Sequence, residues 1–367
     1  MAQRNLIRLI AAVFMAAALL AGTATGGGDT PGALALPRAV HTATALADGR
    51  VLIVGGCDLR SCEASTRSRR AEIFDPRRGL FSLAGGLRAP RVGHAAARLP
   101  SGQVLVVGGW RSGAVTATSE IFEPRRNSFT LGPRLSVPRG GFTLTPLADG
   151  RVLVAGGESR TGVLASAELY DPRLRRFRPT GSMTTSRAAH AAVRLRDGRV
   201  LIVGGSSRAG VLSSAEVFDP RSGEFRPVAA MAEARHKLGA ALLPDGRVLV
   251  VGGSNAADGH GRYRSTELYD PGADRFVRGP SMHEPRYKIL DAIAVLPSGE
   301  VVVAGGGDRA EIYDPRRARF RRSAATPGQL AFATATVIGR SRLLIAGGYD
   351  RSIVPRRQGL VLDVGTR

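Results

Sequence analysis

The sequence predicts an all-β fold: a closed ring of seven blades, each a four-stranded antiparallel sheet. Three observations predict it. Doubled glycines begin at positions 55, 108, 156, 204, 252, 305 and 347, so successive pairs are separated by 53, 48, 48, 48, 53 and 42 residues. A period near 50 is the mark of a radial repeat. Within one unit, residues 187–225, four short apolar segments are separated by turn residues, and no stretch has a helical period. The repeat explains nearly all of the 367 residues, so a length that would by itself suggest two domains is better read as one toroid.

The first residues stand apart from the repeat. Arg4 and Arg8 precede an apolar run from Leu9 to Leu20, and the small residues Ala21, Gly22, Thr23 and Ala24 follow. This is the layout of a secretory signal peptide, and the run is too short to favour a membrane span. No Cys lies near its end, so a lipid anchor is not expected. The organisation expected is a signal peptide over 1–24 and a propeller over 25–367, in a secreted or periplasmic protein.

In each of the first six units the innermost strand is expected to end in a two-residue hairpin turn: Asp48-Gly49, Ser101-Gly102, Asp149-Gly150, Asp197-Gly198, Asp245-Gly246 and Ser298-Gly299. The second strand is solidly aliphatic, as in Val104 to Val107, which implies burial on both faces between neighbouring blades. The doubled glycine after it allows close backbone approach where blades converge.

Seventeen residues before the glycine pairs stand Arg38, Arg91, Arg139, Arg187 and Arg235, with Lys288 in the sixth unit and Leu330 in the seventh. Arg286 takes the sixth place instead if that strand carries a two-residue insertion. The third strand starts at Glu72, Glu120, Glu168, Glu216, Glu267 and Glu311, with Leu360 in the seventh. The starts of strands one and three share an edge in a four-stranded meander. The unit that lacks the base also lacks the acid, which predicts structural ion pairs. The seventh unit has three strands, so residues about 26 to 36 should supply the fourth, with Leu34 aligned to Leu87, Leu135, Met183, Met231 and Met282. Gly28 occupies the place of the aromatic there, so this closure should be weak.

Most units also carry Phe/Tyr-Asp-Pro, with Phe122-Glu123-Pro124 in the second, and a further aromatic about seven residues on: Phe81, Phe129, Phe177, Phe225, Phe276 and Phe320. With the Arg and the doubled Gly, this pattern resembles the kelch family of β-propellers over about residues 30 to 364. The second aromatic is usually Trp in that family. The resemblance implies the fold and leaves the function open. The family includes copper-radical oxidases resembling galactose oxidase, which need a Tyr cross-linked to a Cys, a second Tyr and two His ligands. It also includes sialic-acid mutarotases, which use charged residues in the central funnel.

Cys57 and Cys62 are the two cysteines. They share the first long loop, and in an oxidising compartment they should close a disulfide. His41, His94 and His190 recur at one repeat position in units one, two and four. They would not converge on a metal and read as structural. No metal and no cofactor are expected.

The formal charge is +22, yet of 52 basic residues only Lys237 and Lys288 are lysine, which reads as a coding bias toward Arg. An exported protein seldom meets nucleic acid, so the charge points instead to anionic surfaces and polymers, including a cell surface. Loop length after the glycine pairs varies between units, and variable loops on a rigid scaffold are where binding resides. Those loops carry Trp110, Arg111, Arg160, Arg208, Tyr263, Arg309 and Tyr349. On the sixth inner strand, Tyr287 and Lys288, with Arg286 and Asp291, depart from the repeat chemistry. Aromatics beside cations stack on sugars and pair with acidic groups. The function expected is a non-enzymatic module binding a protein or an acidic carbohydrate. The alternative is a carbohydrate-active enzyme of the oxidase or mutarotase kind.

Overall fold

The computed structural model describes residues 32–58, 69–256, 260–325 and 328–365. Strands account for the regular structure, and no helix among the described residues is long and apolar enough to cross a membrane. Six four-stranded antiparallel meanders follow one another along the chain, with a three-stranded sheet as the seventh. The fourth blade is representative: Ala191–Arg194, Val200–Val203, Ala215–Asp219 and Glu224–Val228, paired in sequence order. Each first strand neighbours the first strands of the blades on either side, and that of blade one meets that of blade seven. The result is a seven-bladed β-propeller with the first strands around the axis.

Blades are joined by three repeated devices. The first is apolar: seven buried clusters lie one to each interface. Between blades two and three, for example, Leu105 and Val107 meet Val152, Val154, Tyr170 and Phe177. Tyr170 and Phe177 are cross-strand neighbours with ring centroids 5.0 Å apart. The aliphatic second strands are fully buried, as expected for a sheet covered on both faces.

The second device is the doubled glycine. In six of the seven pairs both residues take positive φ, 66° and 97° at Gly204 and Gly205, and in the sixth Gly306 alone does; this region is costly for residues with a Cβ. A Cβ on Gly204 would lie 2.5 Å from the Arg235 carbonyl of the next blade. The second glycine's N–H donates to the next blade in all seven units, ending with Gly348 N–H to Arg38 O at 2.8 Å, which closes blade seven onto blade one.

The third device is the ion pair. Arg38–Glu72, Arg91–Glu120, Arg139–Glu168, Arg187–Glu216, Arg235–Glu267 and Arg286–Glu311 are joined at 2.5 to 3.2 Å with both side chains buried. Each guanidinium also donates through Nη1 to the first glycine of its own pair. Each carboxylate also accepts backbone N–H groups from the segment entering its blade, as Glu216 does from Thr184 and Thr185. One acid therefore fixes both the Arg and the interblade connection.

Three sequence expectations need correction or completion here. The sixth base is Arg286 and not Lys288, because Leu290 and Asp291 are inserted before Ala292, and Ala292 resumes the pairing with Ala304. The six hairpin turns have three residues and not two: Leu195 pairs with Arg199, and Gly198 N–H bonds Leu195 O with φ at +91°. This is a type I turn followed by a left-handed glycine. The N-terminal closure is visible only at its end, since residues 26–31 lie outside the described residues. Ala33 bridges Gln358, and the buried Leu34 donates to Arg357 O at 2.7 Å. Leu87, Leu135, Met183, Met231 and Met282 make the same bond in their blades.

Candidate functional site

At the end of the axis where the inner strands begin, one residue per blade has positive φ, two positions after the Arg or its Leu330 equivalent. These are Val40, Gly93, Gly141, Ala189, Lys237, Lys288 and Phe332. Each of the last six donates its N–H to the carbonyl of the one before, at 2.9 to 3.2 Å. They form a collar around the mouth of the ring. In every unit but the sixth, the residue after the doubled glycine pairs with the strand entry beside this collar, as in Val92 with Trp110, Gly140 with Glu158 and Ala331 with Tyr349.

The collar's chemistry is uneven. Blades two and three carry Gly93, Gly140 and Gly141, and the half-buried Trp110 fills the space their missing side chains leave. A Cβ on Gly93 would meet the indole at 2.4 Å and one on Gly140 at 2.7 Å. Blades five to seven instead bring cations onto aromatic rings. Lys288 is buried, its Nζ donating to Tyr349 Oη at 2.7 Å and lying 5.1 to 5.6 Å from the centroids of Tyr287, Phe332 and Tyr349. Lys237 Nζ donates to Tyr287 Oη at 3.1 Å and lies 5.4 Å from that ring's centroid. His236 packs against the same ring at 5.6 Å.

Two carboxyls belong to this region. Burial pushes Glu158 up to about 7, opposed by the charge of Lys237. Asp291, in the insertion at the head of the sixth inner strand, is exposed to solvent; crowding by the surrounding blades pushes its carboxyl upward, toward about 6, and its contact with water works against that push. Two groups held near neutrality can exchange protons or switch their charge.

The structure therefore gathers Tyr287, Lys288 and Tyr349 into one cluster and sets Trp110 on another sector of the same mouth. Arg111, Arg160 and Arg208 are exposed on the hairpins Trp110–Arg111/Ala114–Val115, Glu158–Ser159/Gly162–Val163 and Ser206–Ser207/Gly210–Val211. Arg208 reaches back to the hairpin of the preceding blade and donates to Thr161 O at 2.6 Å. Arg309 is exposed at the start of a third strand. Tyr263 is occupied differently: it lies under the Arg235 guanidinium, 4.7 Å from its centroid, and bridges Arg286. Cys57 is buried against Ala39 O, while Cys62 lies outside the described residues.

The repeated histidines serve packing. His41, His94 and His190 share hydrogen bonds through Nε2 with Thr334, Thr42 and Thr143 of the preceding blade, at 2.9 to 3.1 Å. Burial holds His41 and His190 down at about 3 and His94 well below its ordinary value.

Sequence reasoning missed Lys237, His236, Phe332 and Glu158. A signal for the first was present: the chain's two lysines align at one repeat position once the insertion in unit six is recognised.

The family model described as Kelch motif matches residues 187–232 and 238–283. No curated protein matches the chain. Among solved structures, one titled "Structure of YjhT" is similar with a TM-score of 0.58 and 13% sequence identity, over 90% of this chain and 96% of that one. At that identity the likeness concerns the fold.

Proposed function

We propose that this seven-bladed propeller, matched by the Kelch motif model over residues 187–232 and 238–283, is an exported binding module whose loop face takes a protein or an acidic glycan. One observation carries this reading: the bases and acids of the Arg–Glu pairs face each other inside the blades, while further cations and aromatics collect at the mouth and on the hairpins around it. A scaffold made rigid by its repeats with irregular chemistry at one end suits recognition. Export rests on the signal-like segment over 1–24, and an anionic cell surface is then a natural partner for a chain of +22.

The test compares two full-length variants by binding to an acidic polysaccharide at low and physiological salt. In one, Arg111, Arg160 and Arg208 become Ser. In the other, Arg77, Arg125 and Arg173 become Ser, in turns at the opposite end whose backbone N–H groups are already held by Asp75, Glu123 and Asp171. The first variant should bind more weakly and the second should bind like the parent. Equal loss in both would refute the loop face. A carbohydrate-active enzyme is the second reading, favoured by the two carboxyls near neutrality, Glu158 and Asp291. It requires that changing one of them abolish turnover of a sugar while binding persists.

A further inference from the structure

The outermost strands of the blades share one backbone geometry and differ in what guards their free edge. Opposite the Glu of each Arg–Glu pair, the fourth strand places Leu83, Leu131, Pro179, Pro227, Arg278 and Arg322 in blades one to six. Gly132 N–H donates inward to Ser119 O, and Thr180 N–H to Ala167 O. The alternation of an antiparallel pair therefore turns the N–H and C=O of the preceding residue away from the blade. At Leu83 and Leu131 that outward N–H is a donor, whereas Pro179 and Pro227 have none.

Blades three and four add exposed Arg176, Arg178 and Arg226 to their prolines. Blades five and six guard the same edge with exposed Arg275 and Arg278, and with Arg319 and Arg322. The strands Leu80–Ala84 and Ser128–Leu131 of blades one and two hold neither Pro nor a charge. Both lie last in their sheets, and Leu83 and Leu131 are 56% and 63% exposed. Four guarded edges and two open ones on a single repeat mark the open pair as suited to pairing with another strand.

Charge identifies the occupant. Exposed arginines bracket both open strands: Arg77, Arg78 and Arg88 in blade one, and Arg125, Arg126 and Arg134 in blade two. The acids of the two turns are engaged locally, Asp75 accepting Arg77 N–H at 2.9 Å and Glu123 accepting Gln103 Nε2 at 3.1 Å. We propose that the outer edges of blades one and two are docking sites for an extended segment of another protein, uncharged along its middle and acidic at its ends. It adds as a further strand, held in register by backbone hydrogen bonds. Leu83 and Leu131 meet its apolar side chains, and the bracketing arginines meet its carboxylates. A second copy of this chain is the poorer occupant, since antiparallel pairing of two such edges sets Arg125 and Arg126 against Arg134. The interface lies on the circumference of the ring, so it goes beyond the loop-face reading and does not depend on it.

The probe is a synthetic peptide of alternating Val and Thr with Asp at both ends, titrated calorimetrically into the full chain. One control peptide carries Lys at both ends. The other keeps the Asp ends but is N-methylated along its backbone, so it retains every side chain and donates no backbone hydrogen bond. The acid-ended peptide should bind at least about tenfold more tightly than either control. Leu83→Pro with Leu131→Pro should weaken it by a like factor at unchanged Tm, because blades three and four already carry Pro at this position. If that variant unfolds, the methylated peptide on the parent chain decides alone.

The Arg77, Arg125 and Arg173 variant should also bind the acid-ended peptide more weakly, while the Arg111, Arg160 and Arg208 variant should bind it like the parent. Equal binding of the methylated or the Lys-ended peptide overturns the proposal, as does a folded proline variant that binds like the parent. A dimer of the parent that the proline variant abolishes assigns the edge to a second copy and overturns it as well. The loop-face reading is judged separately, by polysaccharide binding through the other set of arginines.

Discussion

Replacing Glu216 by Ala should be among the most damaging single changes to this fold. The Glu216 carboxylate is buried and accepts three hydrogen bonds, from Thr184 N–H at 2.8 Å, Thr185 N–H at 3.0 Å and Arg187 Nη2 at 2.9 Å. Arg187 is itself fully buried, and burial lowers its pKa, opposed by the bond to Glu216 and that residue's charge. Truncating the acid leaves a buried cation without its counter-charge, which costs about 3–5 kcal/mol. The two orphaned N–H groups lie nearer the surface and water can reach them, so they add little to that figure. An expected loss of about 4 kcal/mol is a large part of the ~5–15 kcal/mol available to a folded domain.

With a urea slope of roughly 3 kcal/mol/M for a chain of this size, the midpoint should fall by about 1.3 M at unchanged slope. Glu216→Gln, which keeps an acceptor oxygen and loses the charge, should cost about half as much. The paired change Arg187→Met with Glu216→Leu should be less damaging than Glu216→Ala alone, since no charge is then left buried, although Gly204 O and Ser214 O lose their donor. Equilibrium urea unfolding at neutral pH reads all three. A Glu216→Ala midpoint within about 0.2 M of the parent, or a double variant weaker than the single, would show that the buried pair does not hold the blade as argued.

Two further outcomes follow from the mouth and the first loop. Glu158 has a folded pKa raised from 4.5 to about 7, so its contribution is fully present below 4.5 and is lost as pH rises through 7. The gap corresponds to ~3 kcal/mol, reduced to about 2 by solvent at this half-buried group. The stability of the parent relative to Glu158→Gln should therefore fall by that amount between pH 4.5 and 8, and parallel stability curves would contradict it. We also expect Cys57 and Cys62 to be oxidised together in protein taken from its native compartment, a small ring worth at most about 2 kcal/mol. Two free thiols found by alkylation and mass spectrometry would refute the pairing.

The repeat made the architecture legible before any coordinates, because its signals are local to one unit and recur. A glycine pair that must take positive φ, an Arg and Glu that meet within one blade, and an apolar run buried on both faces each obey a rule acting over at most a few tens of residues. Seven copies then reveal the rule as a period. The joint absence of base and acid at Leu330 and Leu360 was enough to infer the pairs.

What the sequence left open was decided by hydrogen-bond geometry that counting along the chain does not register. The insertion of Leu290 and Asp291 shifted the count by two, so the nominal position named Lys288, while the backbone pairing placed Arg286 against Glu311. The mouth is more remote still from sequence. Lys237 and Lys288 come from different repeats, and they reach the same tyrosine because the ring closes and the collar turns both residues into left-handed backbone at one end of the axis. Convergence of that kind has no period. It depends on the tertiary arrangement of blades, and only the folded ring brings the two charges together.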